Sequence, residues 1–129
     1  MKRTTREWLR KAESDFKAAA QLLRRRKHIV PDAVCFLCQQ CVEKYLKARL
    51  IEAGMAFPRT HDLLQLLNLC VPGEPSWAAY AKVVDAMTDY AVDYRYPGHS
   101  ATVREAKSAL KHCRSIRAEV RRSLGLKPY

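Results

Sequence analysis

Glycine is scarce in this chain, with four among 129 residues, and nowhere do Val, Ile and Thr alternate with polar residues over a run. A half-buried sheet needs that alternation, so a strand-based architecture is excluded. No apolar stretch approaches the roughly 20 residues that cross a bilayer, which sets the membrane aside as a partner. The opening "MKRTTREWLRKAESDF" lacks the apolar segment of a secretory signal, and a cytoplasmic location is expected. Glycine-rich phosphate loops, G-x-S-x-G and H-E-x-x-H are all missing, which removes the commonest nucleotide, hydrolase and metalloprotease signatures. Acid is also in short supply: 13 Asp and Glu face 24 Lys and Arg, a net charge of +11. A chain this basic attracts polyanions such as RNA, DNA, nucleotides, an acidic partner or an anionic surface.

What fills the chain instead is helix-forming Ala, Leu, Lys, Arg, Glu and Gln, with 48% apolar residues to build a core. The expected fold is all-α, a single domain over residues 1–129. A T-x-x-E pattern at Thr4 and Glu7 predicts the first helix start, after which Leu9, Ala12, Phe16, Ala19 and Leu23 form one apolar face. That helix runs into Arg24-Arg25-Arg26-Lys27, more cations than a helix end requires and a candidate phosphate contact. Pro31 and Gly54 bracket a second helix that is apolar around much of its circumference. Its remaining face carries Gln40, Glu43, Lys44 and Lys47. Asp62 with Gln65 predicts the cap of a short third helix, Ser76 that of a fourth, and Thr102 with Glu105 that of a fifth. Val103, Ala106, Leu110, Cys113, Val120 and Leu124 are expected to face inward on the fifth, with Gly125 closing it. Four substantial helices and one short one, joined by brief connections, predict an antiparallel four- to five-helix up-and-down bundle.

The five cysteines are an odd number for a disulfide framework. Cys35, Cys38 and Cys41 spell C-x-x-C-x-x-C, but residues six apart on a helix point to nearly opposite sides, so the set does not converge on zinc. Small buried hydrophobes are the better account, and neither a metal nor a cofactor is expected. Asp85, Asp89 and Asp93 form an acidic stripe on the fourth helix. It is expected to be solvated or paired with cations of the adjacent helix, and Arg104, Lys107, Lys111, Arg114 and Arg121 recur along the fifth helix opposite its apolar face. That basic stripe is also the strongest electrostatic candidate for RNA or an acidic protein.

Four fragments in order, "WLRKAESDFKAAAQLL", "FLCQQCVEKYLKARLIEAG", "THDLLQLL" and "DYRYPG", resemble HEPN domains, over roughly Glu7 to Val120. The resemblance implies a helical bundle that usually forms a homodimer, often beside a minimal nucleotidyltransferase in a toxin–antitoxin pair. It further implies that an Arg and a downstream His meet at a dimer cleft in those members that are metal-independent RNases. The corresponding residues here are Arg95 and His99. Arg binds phosphate oxygens and a near-neutral imidazole moves protons, so the chemistry of RNA self-cleavage suits the pair. Only Tyr96, Pro97 and Gly98 separate them, one residue fewer than the family's catalytic spacing, and Pro97 interrupts the helix that would align them. The expected function is therefore a binding module for a nucleotide, RNA or a nucleotidyltransferase partner, with RNA cleavage by Arg95 and His99 as the alternative. Gln40, Lys44, Lys47, Tyr96, Arg104, Lys107 and Lys111 are the candidate nucleotide- or RNA-binding residues.

Overall fold

The computed structural model describes residues 1–91, Asp93 and 96–129, giving only the backbone of Ala91. Its regular elements are α1 (Arg3–Leu23), α2 (Pro31–Glu52), α3 (Leu63–Cys70), α4 (Ala81–Thr88) and α5 (Val103–Ser123). A 3₁₀ segment, Pro75–Tyr80, leads into α4 and another, Asp89–Ala91, leaves it. The all-α bundle is as expected. Among the described residues no helix is long and apolar enough to cross a membrane.

α2 is the axis. Pro31 occupies its first turn, where a missing N–H costs nothing. Gly54 at φ 71° ends it: Gly54 N–H donates to the Ile51 carbonyl and Met55 N–H to the Leu50 carbonyl, both at 2.9 Å. Between those ends Val34, Cys38, Cys41, Tyr45, Ala48 and Leu50 are fully buried, as are Cys35, Val42 and Leu46 on the flanks. Each large aliphatic side chain so buried contributes about 1.5–3 kcal/mol. A helix apolar on so wide an arc needs neighbours on several sides, and here α1, α3 and α5 supply them.

α1 runs antiparallel to α2, since Thr5 Oγ1 donates to Glu52 at 2.8 Å while Lys44 reaches Asp15 at 2.5 Å. α5 runs alongside α2 in the same sense: Asp32 accepts from Ala101 N–H at 2.6 Å at one end, and Arg121 approaches the Tyr45 hydroxyl at 3.4 Å towards the other. α3 also follows α2. Gln39 donates to the His61 carbonyl at 3.1 Å just before α3 starts, and Cys70 Sγ lies 3.9 Å from the Leu46 carbonyl where it ends. The 53–62 connection therefore doubles back along α2, a departure from strict up-and-down order.

Local signals succeed at some helix ends and fail at others. Thr102 and Glu105 form both halves of a capping box, and Asp62 accepts from the N–H groups of Leu64 and Gln65. Asp62 N–H donates to Thr60 rather than to Gln65, so that box is half made. Thr4 does not cap α1. The helix starts at Arg3 without a side-chain cap, and the next threonine, Thr5, is buried against Glu52. Ser76 lies inside the 3₁₀ segment and leaves α4 uncapped by a side chain. Val103 is exposed, unlike Ala106, Leu110, Cys113 and Val120, because the first turn of α5 projects beyond the core. All five cysteines are buried free thiols. Burial pushes the Cys35 and Cys70 thiols up to about 12; Cys38 is raised first by its contact with Cys113 and then by burial.

One charged junction fastens α1, α2 and α5 together. Arg117, buried on α5, donates from Nε to Glu13 Oε1 at 2.5 Å and from Nη2 to Oε2 at 3.0 Å. The Tyr45 hydroxyl donates to the same carboxylate. Arg117 and Arg121 also hold the carbonyls of Pro128 and Lys127, at 3.2 and 2.5 Å, laying the C-terminal segment against the bundle. Burial alone would raise the Glu13 carboxyl; the hydrogen bonds from Arg117 and Tyr45 outweigh it and hold the group below its ordinary value.

Two outcomes follow for stability. Thr102→Ala should cost about 1 kcal/mol in urea unfolding and Thr4→Ala almost nothing, because only the first removes a made cap. Because the folded-state pKa of Glu13 is depressed, its contribution is fully present above about pH 4.5 and is lost as pH falls through the folded value. Urea midpoints of wild type and Glu13→Gln should therefore differ most near neutrality and converge in acid. A gap independent of pH would refute this role for the carboxylate.

Candidate functional site

The sequence-derived candidates divide into two regions. Arg95, like Tyr94, lies outside the described residues, and its geometry relative to His99 is not described. His99, Tyr96, Pro97 and Gly98 are all exposed. Gly98 takes φ 89°, a value open to glycine, and His99 N–H donates to the Tyr96 carbonyl at 3.3 Å, so the segment forms a tight turn. The Asp32–Ala101 hydrogen bond ties this turn to the first turn of α2.

That tie has a topological consequence. The α1–α2 hairpin turn, residues 24–30, sits at the same end of α2, because α1 is antiparallel to it. Here Arg24, Arg25, Arg26, Lys27 and His28 are all exposed. His28 takes a left-handed conformation, φ 58°, in the loop that reverses the chain. The first half of α5 leaves from this pole, and Arg104, Lys107, Lys111 and Arg114 are exposed along it. At 100° per residue these four fall within about 80° of arc. The Arg114 guanidinium lies 5.7 Å from the Phe16 ring centroid, so the stripe borders the C-terminal half of α1. Among the described residues none of these cations has a carboxylate partner. The nearby acids are Asp32 and Glu105, both already bonded to backbone N–H groups, and the exposed Asp89 and Asp93.

The structure decides two features of the expected stripes. Arg121, read as part of the basic stripe, turns into the Glu13–Tyr45 junction and is only partly accessible. Asp85, Asp89 and Asp93 are exposed, and among the described residues none is paired with an α5 cation. The 3₁₀ segments on either side of α4 are what approach α5, with Tyr80 near Glu119 and Arg122 and Tyr90 near Glu105. Among the described residues no three His, Cys, Asp or Glu side chains are placed to hold a metal.

The second region is the polar strip of α2, where Gln40, Lys44 and Lys47 were expected to bind a nucleotide or RNA. Gln40 and Lys44 are half-buried, and Lys44 is neutralised by Asp15. Glu43 and Lys47 are buried, at 3% and 8% exposure, in a 3.1 Å ion pair. Glu43 also contacts Gln39 Nε2 at 3.3 Å and His61 Nδ1 at 2.8 Å. Lys47 Nζ lies 5.4 Å from the Trp8 ring centroid and 5.9 Å from that of Phe57. Lys44 and Lys47 therefore serve carboxylates of their own chain. Trp8, Phe57 and Arg59 were not singled out from sequence, since their convergence depends on the returning 53–62 connection. Removing the carboxylate tests the arrangement. Glu43→Ala should destabilise the chain by about 3–5 kcal/mol, because a buried ammonium loses its partner. Adding Lys47→Leu should recover part of that loss in urea unfolding, and a single-variant cost below about 1 kcal/mol would mean the pair is effectively solvated.

No curated protein and no solved structure matches the chain. The family model described as HEPN domain matches residues 5–123, which takes in α1 from Thr5 onward, α2 through α5 and both regions above. With that match spanning nearly the whole bundle, the chain belongs to the HEPN domain family.

Proposed function

We propose that the chain is a HEPN-type binding module whose cationic pole takes the phosphates of single-stranded RNA or a nucleotide. The observation that carries this reading is the set of exposed cations without carboxylate partners at one end of the bundle: Arg24 to Lys27 on the hairpin turn, and Arg104, Lys107, Lys111 and Arg114 on α5. Phosphate contacts of this kind position a strand without reading its sequence, and they release counterions. Tyr96, 63% accessible in the turn between them, offers a ring on which a base can stack. Lys44 and Lys47 drop out of the contact set, since both are paired. A homodimer and a minimal nucleotidyltransferase partner, which the family resemblance implies, complete the reading. The acidic groups of such a partner would meet the same cations that bind phosphate.

RNA cleavage is the alternative for the same pole, with His99 as the proton-transfer group and Arg95 as the phosphate clamp. One experiment separates them. Anisotropy of a labelled single-stranded RNA, titrated at several salt concentrations in EDTA, should show binding that weakens steeply with salt. Replacing Arg104, Lys107 and Lys111 together by Ala should reduce the slope of log K against log salt by about 2, at roughly 0.7 per phosphate contact. RNA recovered intact supports the module. RNA recovered cut, with cutting lost in His99→Ala, replaces it with the nuclease. Binding that is absent, or indifferent to both salt and the triple replacement, overturns the pole as an RNA site.

A further inference from the structure

The cleft above the Glu43–Lys47 pair is built for a ligand of its own. It encloses about 440 Å³, within the range of small-molecule sites, and is lined by Trp8, Lys47, Phe57, Arg59, Thr60 and His61. These residues come from α1, α2 and the 53–62 connection. The cleft lies well away from the cationic pole: Asp32 and Lys47 are 15 positions apart on α2, or about 22 Å along the helix.

Its chemistry is specific. Two aromatic side chains, each half-buried, flank a single ammonium at 5.4 and 5.9 Å. A flat ring entering the cleft meets aromatic surface from Trp8 and Phe57 and a cation beside them, which suits an electron-rich heteroaromatic ring. Among the described residues the carboxylate beneath the lining is Glu43, which is buried and already engaged by Gln39, Lys47 and His61. Accessible charge at the cleft is thus positive, carried by Arg59 at the rim. His61, whose side chain is 73% exposed, has its Nδ1 committed to Glu43. A carboxylate accepts only, so the hydrogen of that contact is on Nδ1, and Nε2 is left for a ligand.

The geometry points to a nucleotide-base subsite: a nucleobase packed against Trp8 and Phe57 over Lys47, its phosphate drawn to Arg59. The inference rests on the RNA-or-nucleotide reading for its ligand class, and adds where the base goes. The base can come from a free mononucleotide or from a strand whose phosphates lie on the pole.

The chain has two tryptophans, Trp8 at the cleft and Trp77 in the core, so intrinsic fluorescence reports the site. Titration of the full chain with AMP should quench emission saturably, and ribose 5-phosphate, which lacks the ring, should not. The AMP-dependent change should vanish in Trp8→Phe, which retains Trp77. By calorimetry, Phe57→Ala should weaken AMP by about tenfold or more. Arg59→Ala should weaken AMP about tenfold while leaving adenosine unchanged. If AMP produces no heat and no quenching, or binds Phe57→Ala as tightly as wild type, the subsite is overturned. Should RNA still bind the pole in that case, only this inference fails; if AMP binds and RNA does not, the pole reading fails and the subsite stands. An RNA oligonucleotide that quenches Trp8 and competes with AMP assigns the base to the strand, whereas one that binds without quenching assigns it to a free nucleotide.

Discussion

The structure depends on one constraint: α2 is enclosed by other helices along most of its length, so every ionic group on it or facing it must find a partner inside the chain. Burying an unpaired charge costs more than the bundle's other contacts readily offset. The chain meets this demand mainly with its few carboxylates. Glu13 answers Arg117, Asp15 answers Lys44, Glu43 answers Lys47 and Glu74 answers Arg49. Asp32, Asp62 and Glu105 serve backbone N–H groups at helix starts, and Glu52 takes the Thr5 hydroxyl together with the Lys2 N–H. Glu7 and Glu119 sit in surface pairs. Among the described residues only Asp85, Asp89 and Asp93 remain unengaged. With acid allocated to architecture, the surplus of Lys and Arg is left facing solvent. The functional electrostatics of this protein are thus the remainder of its structural electrostatics.

That allocation explains why the two regions differ in kind. At the pole, cations are exposed and unpaired, and attraction acts at long range and fades with salt. At the cleft, the charges are mostly neutralised and the recognition available is short-range: ring surface, one partly shielded ammonium, an oriented imidazole. A long polyanion suits the first surface and a single flat group the second. Linear spacing along α2 keeps them apart, so occupation of one leaves the other open.

Much of this was legible in the sequence where the signal was local. Pro31, Asp62, Thr102 with Glu105, Gly54 and Gly125 act within a turn of themselves, and each marks the helix end expected of it. The apolar stripes were legible too, because 3.6-residue periodicity survives any tertiary arrangement. Thr4 and Ser76 misled because a neighbouring element decided the helix start, with Thr5 turned inward to Glu52 and a 3₁₀ segment inserted before α4. The buried ion pairs were written in the pattern, but their burial was not expected. Glu13 interrupts the stripe Leu9–Phe16 at helical spacing, and Arg117 interrupts Cys113–Val120. Opposite charges set into two apolar faces are the mark of a pair that meets across them. Gln39, Glu43 and Lys47 form a similar four-residue ladder on a helix that is otherwise nearly all apolar. The cleft was not legible, because Trp8, Phe57 and Arg59 are brought together only by a connection whose return path no local rule fixes.

The cysteine-rich spine of α2 has a consequence for the life of the chain outside its native state. Packed as they are, the sulfurs of Cys35, Cys38, Cys41, Cys70 and Cys113 are inert, shielded from oxidants and with ionisation of Cys35, Cys38, Cys70 and Cys113 suppressed. A molecule that loses its bundle releases all five together, three of them within seven consecutive residues. Given an oxidant to take up the thiols' electrons, and unfolding that outlasts that oxidation, mispaired bridges between neighbouring molecules turn a reversible excursion into a dead end.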